Sequence, residues 1–286
     1  MNPASRRGLA AERPSVAALR DAGVQVDVVG TTHRGHAGEI VRARAAAYDA
    51  IFTVGGDGTA MEAAGAVPEG GPPVAIVPAG TGNQLARYFG IPLRPARAVR
   101  ALLAGVPRPI DVGRLADGRR FALTAGFGFD VAMIAGASAA LKRRFGVGAY
   151  MLSALPALMR HRRFAIRATV DGTVYERECA LAMIANVPYV MDGLLTTGPG
   201  VRIDDGQLDL CVFDAATGFD ALTIVWRAVR RDFRPHRGFL FVRGADIRLE
   251  AIPAAASQAD GDLLEPGPLH AKVEPNGVSF LVPSPS

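Results

Sequence analysis

Two glycine-rich segments have the residue types and the placement that phosphate binding requires. Val54–Thr59 reads Val-Gly-Gly-Asp-Gly-Thr, and Pro78–Asn83 reads Pro-Ala-Gly-Thr-Gly-Asn. Each follows a short apolar run and precedes a helix-like stretch. Glycine lets the backbone come close to a ligand, and the N–H groups at a helix start attract an anion. We predict that both segments bind the phosphates of one ligand, with simple tight turns as the alternative.

Individual positions of these segments have distinct predicted roles. Asp57 is the carboxylate that could hold the metal ion accompanying nucleotide phosphates, directly or through water. Loops that follow neighbouring parallel strands meet at one edge of the sheet, where ligands of open α/β sheets bind. The other predicted nucleotide contacts in the two segments are Gly56, Gly58, Thr59, Gly80, Thr81 and Asn83.

The order of the predicted elements explains how the two segments would be brought together. Strand-like and helix-like stretches alternate through residues 1–110, with Val24–Val29 as an early strand and a helix that starts at Met61 and runs to Val67. This alternation predicts a doubly wound parallel sheet. Residues 111–286 contain regular short strands and two helical insertions, which predicts an antiparallel β-sandwich. Whether the final strand returns to the first domain is left open. The first strand of the N-terminal domain is expected to be missing, as in a truncated start.

Composition and charge favour a globular protein without a nucleic-acid partner. The 286 residues are 49% hydrophobic and 21% charged, and the formal net charge is +5. Only Lys142 and Lys272 among the 32 basic residues are lysines. Basic residues cluster at 142–144, 160–163 and 227–237, and each cluster suits either an anionic membrane face or plain solvated surface.

Cysteines and apolar stretches bear on location. Cys179 and Cys211 lie in apolar runs without metal-ligand spacing, so we expect buried, reduced thiols and a cytoplasmic protein. The charge-free apolar stretch 145–159 is shorter than the roughly 20 residues of a membrane-spanning helix, so membrane contact is predicted to be peripheral. The five histidines show no zinc-ligand spacing, and the single tryptophan, Trp226, is predicted to lie in the core. A homodimer is left open.

The glycine-rich segments, together with Asn2-Pro3-Ala4-Ser5 ahead of them, resemble the diacylglycerol kinase catalytic family, most closely its soluble bacterial lipid kinase branch. The resemblance extends over nearly the whole chain. It includes segments 31–37, 126–130, 141–150, 205–209 and 260–262. Two positions depart from the family pattern, because Met61 stands where Asn is frequent and Asp262 where Glu is frequent.

The resemblance implies a two-domain lipid kinase that binds Mg²⁺ and ATP in the interdomain cleft and transfers the γ-phosphate to a lipid hydroxyl. It adds Asn2, Ser5 and Thr31 to the nucleotide contacts and makes Asp260 the base, with Asp262 as a supporting metal ligand. On the residues alone, Asp57 competes for the role of base, and 260–262 could be an ordinary surface turn.

Two further carboxylate assignments concern a structural cation and the acceptor. The closely spaced carboxylates of Asp204–Asp209 predict a second, structural cation held by Asp205 and Asp209, with a strand-initiating turn as the alternative. Asp130 could orient the acceptor hydroxyl, and the apolar stretch 132–159 could receive acyl chains or pack as core. The expected partner is thus a lipid at a membrane surface.

Alternative activities remain at this point. A kinase resembling NAD kinase would share the Gly-Gly-Asp-Gly-Thr motif, although Pro78–Asn83 stands where that family is expected to carry an Asn-Glu pair. A nucleotide-binding protein without turnover is the other alternative, suggested by the missing first strand and by Met61.

Overall fold

The structure is a computed structural model that describes residues 1–3, 7–68, 70–128, 163–190 and 193–284. The chain divides into two compact units. Unit 1 comprises Met1–Val112 and Pro275–Ser286, and unit 2 comprises Gly113–Glu274.

The helices, in chain order, are α1 (Gly8–Asp21), α2 (His36–Arg44), α3 (Asp57–Ala64), α4 (Gln84–Tyr88), α5 (Pro95–Leu103) and α6 (Gly218–Val229). The strands, in chain order, are β1 (Ile51–Gly55), β2 (Val74–Pro78), β3 (Val106–Leu115), β4 (Arg120–Phe121), β5 (Thr124–Gly128), β6 (Phe164–Val170), β7 (Thr173–Cys179), β8 (Leu181–Ala185), β9 (Tyr189–Val190), β10 (Leu195–Thr196), β11 (Leu208–Phe213), β12 (Phe239–Gly244), β13 (Asp246–Ile252), β14 (Ser257–Ala259), β15 (Asp262–Leu264) and β16 (Leu269–Val282).

A parallel sheet organises unit 1. Strands β1 and β2 pair in parallel from Ile51 opposite Val74 to Gly55 opposite Pro78, and β2 also pairs in parallel with the end of β16. All five residues of β2 are buried, as expected of a strand covered on both faces. Both glycine-rich segments therefore follow the carboxyl ends of adjacent parallel strands, and the predicted α/β class is confirmed.

Two predicted boundaries in unit 1 are wrong, and one of them matters for the site. Helix α3 begins at Asp57, not at Met61, so the Asp-Gly-Thr of the first segment forms the first helical turn. Val24–Val29 forms no strand. The Met1 amino group donates to the Val29 carbonyl at 2.6 Å, but a strand needs a ladder of such backbone hydrogen bonds along its length.

Unit 2 is an antiparallel sandwich, as the sequence predicts. One sheet has the strand order β12-β11-β8-β5-β14-β15, and the other contains β13 between β16 and β6, with β7 beyond β6. Their facing side chains form one core. Fully buried members include Phe121, Phe127, Ile184, Leu208 and Leu249.

Helix α6 packs on a second, smaller core of unit 2. Ala221 and Ile224 lie against apolar side chains of the β8–β11 region, including Cys211 and Phe213. The helix begins with a capping box, in which Thr217 and Asp220 satisfy each other's backbone N–H groups.

The two cysteines are buried free thiols, as predicted. Burial raises the pKa of the Cys179 thiol to about 12, so this thiol is unreactive at neutral pH. Among the residues that the structure describes, no helix combines the length and the apolar character needed to cross a membrane.

Candidate active site

The first glycine-rich segment forms the amino end of a helix. Gly56 is the extended N-cap residue of α3, and Asp57, Gly58 and Thr59 make its first turn. N–H groups in the first turn of a helix have no partner within that helix, and they point with the helix dipole toward an anion. A Cβ added to Gly58 would meet no atom within 4 Å, so space lies open beside this turn.

The second segment folds against the first, backbone to backbone. The N–H groups of Ala79 and Gly80 both donate to the Gly55 carbonyl, at 2.7 and 3.1 Å. A Cβ on Gly80 would lie only 2.5 Å from the Cα of Gly56, so glycine is required there by the approach of the two loops. The prediction that the segments lie together thus has a direct physical basis.

Asn83 organises its own loop. Its side-chain oxygen accepts from the Gly80 N–H at 2.9 Å, and its side-chain nitrogen donates to the Gly80 carbonyl at 2.9 Å. Asn83 is buried and has a φ of 50°, a left-handed conformation that asparagine tolerates better than most residues. Its observed role is to shape the loop that presents Thr81, whose side chain is exposed.

Asp57 links the two segments. Its two carboxylate oxygens accept the N–H groups of Gln84 and Leu85, both at 2.9 Å, and so cap helix α4 from the other loop. Burial raises the pKa of the Asp57 carboxyl above its ordinary value, and these amides oppose that shift. Sequence patterns could not identify these two hydrogen bonds, because their donors lie 27 and 28 positions after Asp57 in the chain.

Residues from the start of the chain complete this edge of unit 1. The Asn2 N–H donates to the Val54 carbonyl at 2.9 Å, and its side-chain amide donates to the Thr59 hydroxyl at 3.0 Å. Thr31 lies beside them, since its N–H donates to the Met1 carbonyl at 2.9 Å. The structure therefore brings Asn2, Thr31 and Thr59 to one place, whereas Ser5 lies outside the described residues.

In unit 2, Asp260 occupies the turn between β14 and β15, with a φ of 49°. Its carboxylate accepts three backbone N–H groups, from Ala122 at 2.8 Å, Leu123 at 2.8 Å and Thr124 at 3.0 Å. The predicted base is thus also a structural residue that fixes the loop between β4 and β5. Asp262, the predicted supporting ligand, is exposed at the start of β15.

The predicted structural cation does not fit its site, because a guanidinium already stands there. Arg243 contacts Asp209 through Nε at 3.2 Å and Asp205 through Nη1 at 3.4 Å, and it donates to the Gly200 carbonyl at 2.6 Å. The second oxygen of Asp209 is buried and has no hydrogen-bond partner among the described residues, a feature that alone would favour a metal. A divalent cation at the two carboxylates would nevertheless be repelled by Arg243, and we give that contact more weight.

The same site has an unusual electrostatic balance. Burial raises the pKa of the Asp209 carboxyl, the charge of Asp205 acts in the same direction, and Arg243 opposes both. Sequence spacing does not reveal this arginine, because it comes from β12, where Arg243 lies opposite Asp209 of β11.

A histidine cluster in unit 1 was not indicated by sequence spacing. Ligand atoms of His33, His36 and Glu39 lie within 4.8 Å of one another, and the two rings stack at 4.7 Å. The Thr32 N–H donates to Nδ1 of His36 at 3.0 Å, so the neutral ring carries its proton on Nε2. A metal ligated by His36 would have to displace a hydrogen bond or a proton, and we do not assign one.

The predicted acceptor contact, Asp130, and the apolar stretch 132–159 lie outside the described residues. Within the described residues, the predicted nucleotide contacts lie in the paired loops and at the chain start of unit 1, and the predicted base Asp260 lies in a turn of unit 2.

Comparisons with known proteins agree with this arrangement. Residues 1–115 match the diacylglycerol kinase catalytic domain, and residues 124–282 match the YegS C-terminal NAD kinase beta sandwich-like domain. A Pseudomonas aeruginosa protein named "Probable lipid kinase YegS-like" is 33% identical over 96% of this chain and 90% of its own length. A diacylglycerol kinase of Mycobacterium tuberculosis is 29% identical over 99% of this chain and 93% of its own length.

A solved structure has the same fold. The crystal structure of a diacylglycerol kinase from Bacillus anthracis superposes with a TM-score of 0.78 at 26% identity, covering 99% of this chain and 95% of the other. The first domain match contains the paired glycine loops, the second contains the sandwich, and the relatives align with nearly the whole chain. The chain therefore belongs to the diacylglycerol kinase family, in its YegS-like lipid kinase branch.

Proposed function

We propose that this protein is an ATP-dependent lipid kinase that transfers the γ-phosphate of ATP to the hydroxyl of diacylglycerol or a related lipid. The observation that carries the proposal is the joined pair of glycine loops at one edge of the unit 1 sheet, with the first turn of α3 opening into free space. Membership of a lipid kinase family supports the same conclusion.

The loops are suited to a triphosphate because their donors are backbone groups held in place before the ligand arrives. Gly56, Gly58 and Thr59 present N–H groups at the amino end of an eight-residue helix. The contacts from Gly80 and Ala79 to Gly55 fix the second loop against the first. Phosphoryl transfer depends mostly on positioning and electrostatic stabilisation, which fixed amides provide.

The metal would be held near Asp57, the carboxylate of these loops. A bound Mg²⁺ neutralises charge on the phosphate oxygens during transfer. Both oxygens of Asp57 already accept an amide, so we propose that the residue reaches the ion through a water ligand. Whether or not it reaches the ion, Asp57 holds the two loops together, and the loops must be held together for both to contact one phosphate group.

We propose Asp260 as the base. The lipid oxygen forms a bond to the γ-phosphorus, the bond from that phosphorus to the bridging oxygen of ADP breaks, and the hydroxyl proton moves to the carboxylate. The three amides that hold Asp260 fix the orientation of its carboxylate, as a base requires. Its neighbour Asp262 is the competing carboxylate, because it is exposed two residues away.

The acceptor is expected to be met at a membrane surface, because a diacylglycerol-like lipid resides in the bilayer. We propose a cytoplasmic protein with peripheral contact, in keeping with two buried free thiols.

The test is a phosphorylation assay with labelled ATP and Mg²⁺. Purified protein is offered diacylglycerol, a sphingoid base, phosphatidylglycerol and NAD. A labelled lipid is the expected product. Labelled NAD would refute lipid kinase activity, and ATP binding without any product would indicate a nucleotide-binding protein without turnover.

Variants at the two carboxylates test the base. Asp260→Asn should abolish turnover and leave ATP affinity nearly unchanged. Because this change also removes an acceptor from backbone amides, thermal unfolding must show that the variant is folded at the assay temperature. Asp262→Asn is the comparison variant, because it tests the competing carboxylate. Loss of turnover only in the Asp262 variant would transfer the role of base to that residue.

A further inference from the structure

Helix α6 has two apolar faces, and the described part of the chain covers only one of them. Ala221, Ile224 and Ala228 are buried in unit 2. On the opposite side, Phe219 is 78% exposed and Trp226 is 48% exposed. Residues 219, 222 and 226 are spaced by three and four positions, so they form one stripe along the helix. The prediction that Trp226 lies in the core is therefore wrong.

Exposed arginines lie beside this stripe and in the segment that follows the helix. The Arg230 guanidinium lies over the Trp226 ring, 5.4 Å from its centroid. Arg230 and Arg231 are exposed, and the side chains of Arg234 and Arg237 are each 84% exposed. We call the stripe (Phe219, Leu222 and Trp226) and these four arginines the α6 surface.

The acidic residues near the α6 surface do not cancel its charge. Residues 218–237 contain five arginines and two aspartates. Asp232 pairs with Arg227 and Arg234, and Asp220 pairs with Arg237 while its other oxygen caps the helix. Two guanidinium groups and an aromatic stripe thus remain directed at the solvent beyond these pairs.

We propose that the α6 surface docks the protein on a bilayer that contains anionic phospholipid. Tryptophan and phenylalanine favour the interface between headgroups and acyl chains, and arginines beside them attract anionic lipid headgroups. The purpose of docking rests on the proposed function, since a lipid kinase must reach its acceptor. The docking itself does not depend on catalysis.

A second copy of the chain fits this surface less well than a membrane. In a two-fold symmetric dimer the same patch contacts itself, so the arginines of one copy would face the arginines of the other. Such like-charge contact opposes association, whereas an anionic bilayer is complementary to the same charges.

Trp226 provides a direct test, because it is the only tryptophan of the chain. The protein is titrated with phosphatidylcholine vesicles that contain or lack phosphatidylglycerol, without ATP. We expect a blue shift of the emission with the anionic vesicles and quenching when their acyl chains are brominated. Co-sedimentation of the protein with an unchanged emission spectrum would overturn the proposal, because another surface would then be bound.

Substitutions separate the apolar and the charged contributions. Phe219→Ser should lower the vesicle partition coefficient roughly ten- to hundredfold, because an exposed ring no longer enters the interface. Val174→Ser is the matched control, since Val174 is 57% exposed on β7 of the same unit and should bind as the unchanged protein does. Replacing Arg230 and Arg231 together by glutamine should weaken the preference for phosphatidylglycerol about tenfold or more.

The remaining outcomes are also decisive. Equal loss of binding in the Phe219 and Val174 variants would overturn the proposal, and so would a concentration-dependent dimer that Phe219→Ser dissociates while vesicle binding is unchanged. Thermal unfolding of each variant checks that the fold is kept. Normal docking in a protein that phosphorylates no lipid would refute the proposed function and leave the docking surface intact.

Discussion

Gly58→Ala is the most informative single change in the candidate site, because folding and phosphate binding place opposite demands on this position. Gly58 is the second residue of α3, and a Cβ there would meet no atom within 4 Å. Alanine in a helix is favoured over glycine by about 0.5–1 kcal/mol. The variant should therefore be slightly more stable, with a melting temperature higher by about 1–4 °C.

The same methyl group would occupy the space in which we place a phosphate. If the ligand contacts the first turn of α3, the Cβ obstructs its approach and one charge-assisted hydrogen bond is lost, worth about 1.5–3 kcal/mol. The expected fall in kcat/KM for ATP is roughly ten- to hundredfold. The measurements are thermal unfolding without ligand and steady-state kinetics with varied ATP.

Two control variants define how the result is interpreted. Gly267→Ala also meets no atom within 4 Å and lies in unit 2, so it should change neither ATP kinetics nor the fold. Gly80→Ala places a Cβ 2.5 Å from the Gly56 Cα and should lose about 1–3 kcal/mol of stability. A Gly58→Ala protein with raised stability and unchanged kcat/KM for ATP would refute the placement of phosphate at this helix end.

Three further predictions concern carboxylates. Arg243→Gln should lower the free energy of unfolding by about 2 kcal/mol, which is less than for a fully buried pair because the Arg243 side chain is 38% exposed. Mg²⁺ should raise the melting temperature of this variant more than that of the unchanged protein. Asp260→Asn should cost about 1–3 kcal/mol in urea unfolding, because an amide nitrogen replaces an acceptor, and no loss would contradict its structural role. Burial raises the pKa of the Asp57 carboxyl above its value of about 3.9 in the unfolded chain. The protonated carboxyl therefore stabilises the fold at low pH, and this stabilisation is lost as the pH rises from the unfolded pKa through the raised folded pKa. Asparagine does not titrate, so the Asp57→Asn variant should gain stability relative to the unchanged protein as the pH rises across that interval. Urea unfolding at several pH values measures this difference, and a difference that does not change with pH would contradict the raised pKa of Asp57.

The fold and the position of the glycine loops follow from local sequence patterns. The apolar run Val74–Pro78 and the alternation of strands and helices are properties of neighbouring residues, so they predict the parallel sheet correctly. Val24–Val29 shows the limit of this reasoning. Its alternating valines have the pattern of a strand, but a strand also needs a partner along its length, and the pattern carries no information about that partner.

Side-chain partners that are distant in the chain are the part that sequence patterns do not supply. Arg243 lies 34 positions from Asp209, yet it decides that the two carboxylates of that site need no divalent cation. The exposure of Trp226 could not be predicted for a related reason. An apolar residue on a helix has the same identity whether its face is covered or exposed, and only the packing of α6 distinguishes the two.

Three of the aspartates that the sequence assigns to catalysis or metal binding share one physical constraint. A carboxylate removed from water must receive hydrogen bonds or a counter-charge, so Asp57 accepts two amides of α4, Asp209 pairs with Arg243 and Asp260 accepts three amides. Each is therefore held in one orientation before any ligand binds. This rigidity favours catalysis, but it also means that loss of activity after substitution is not by itself evidence of a catalytic role. A stability measurement beside every activity measurement is what separates a residue that reacts from one that builds the site.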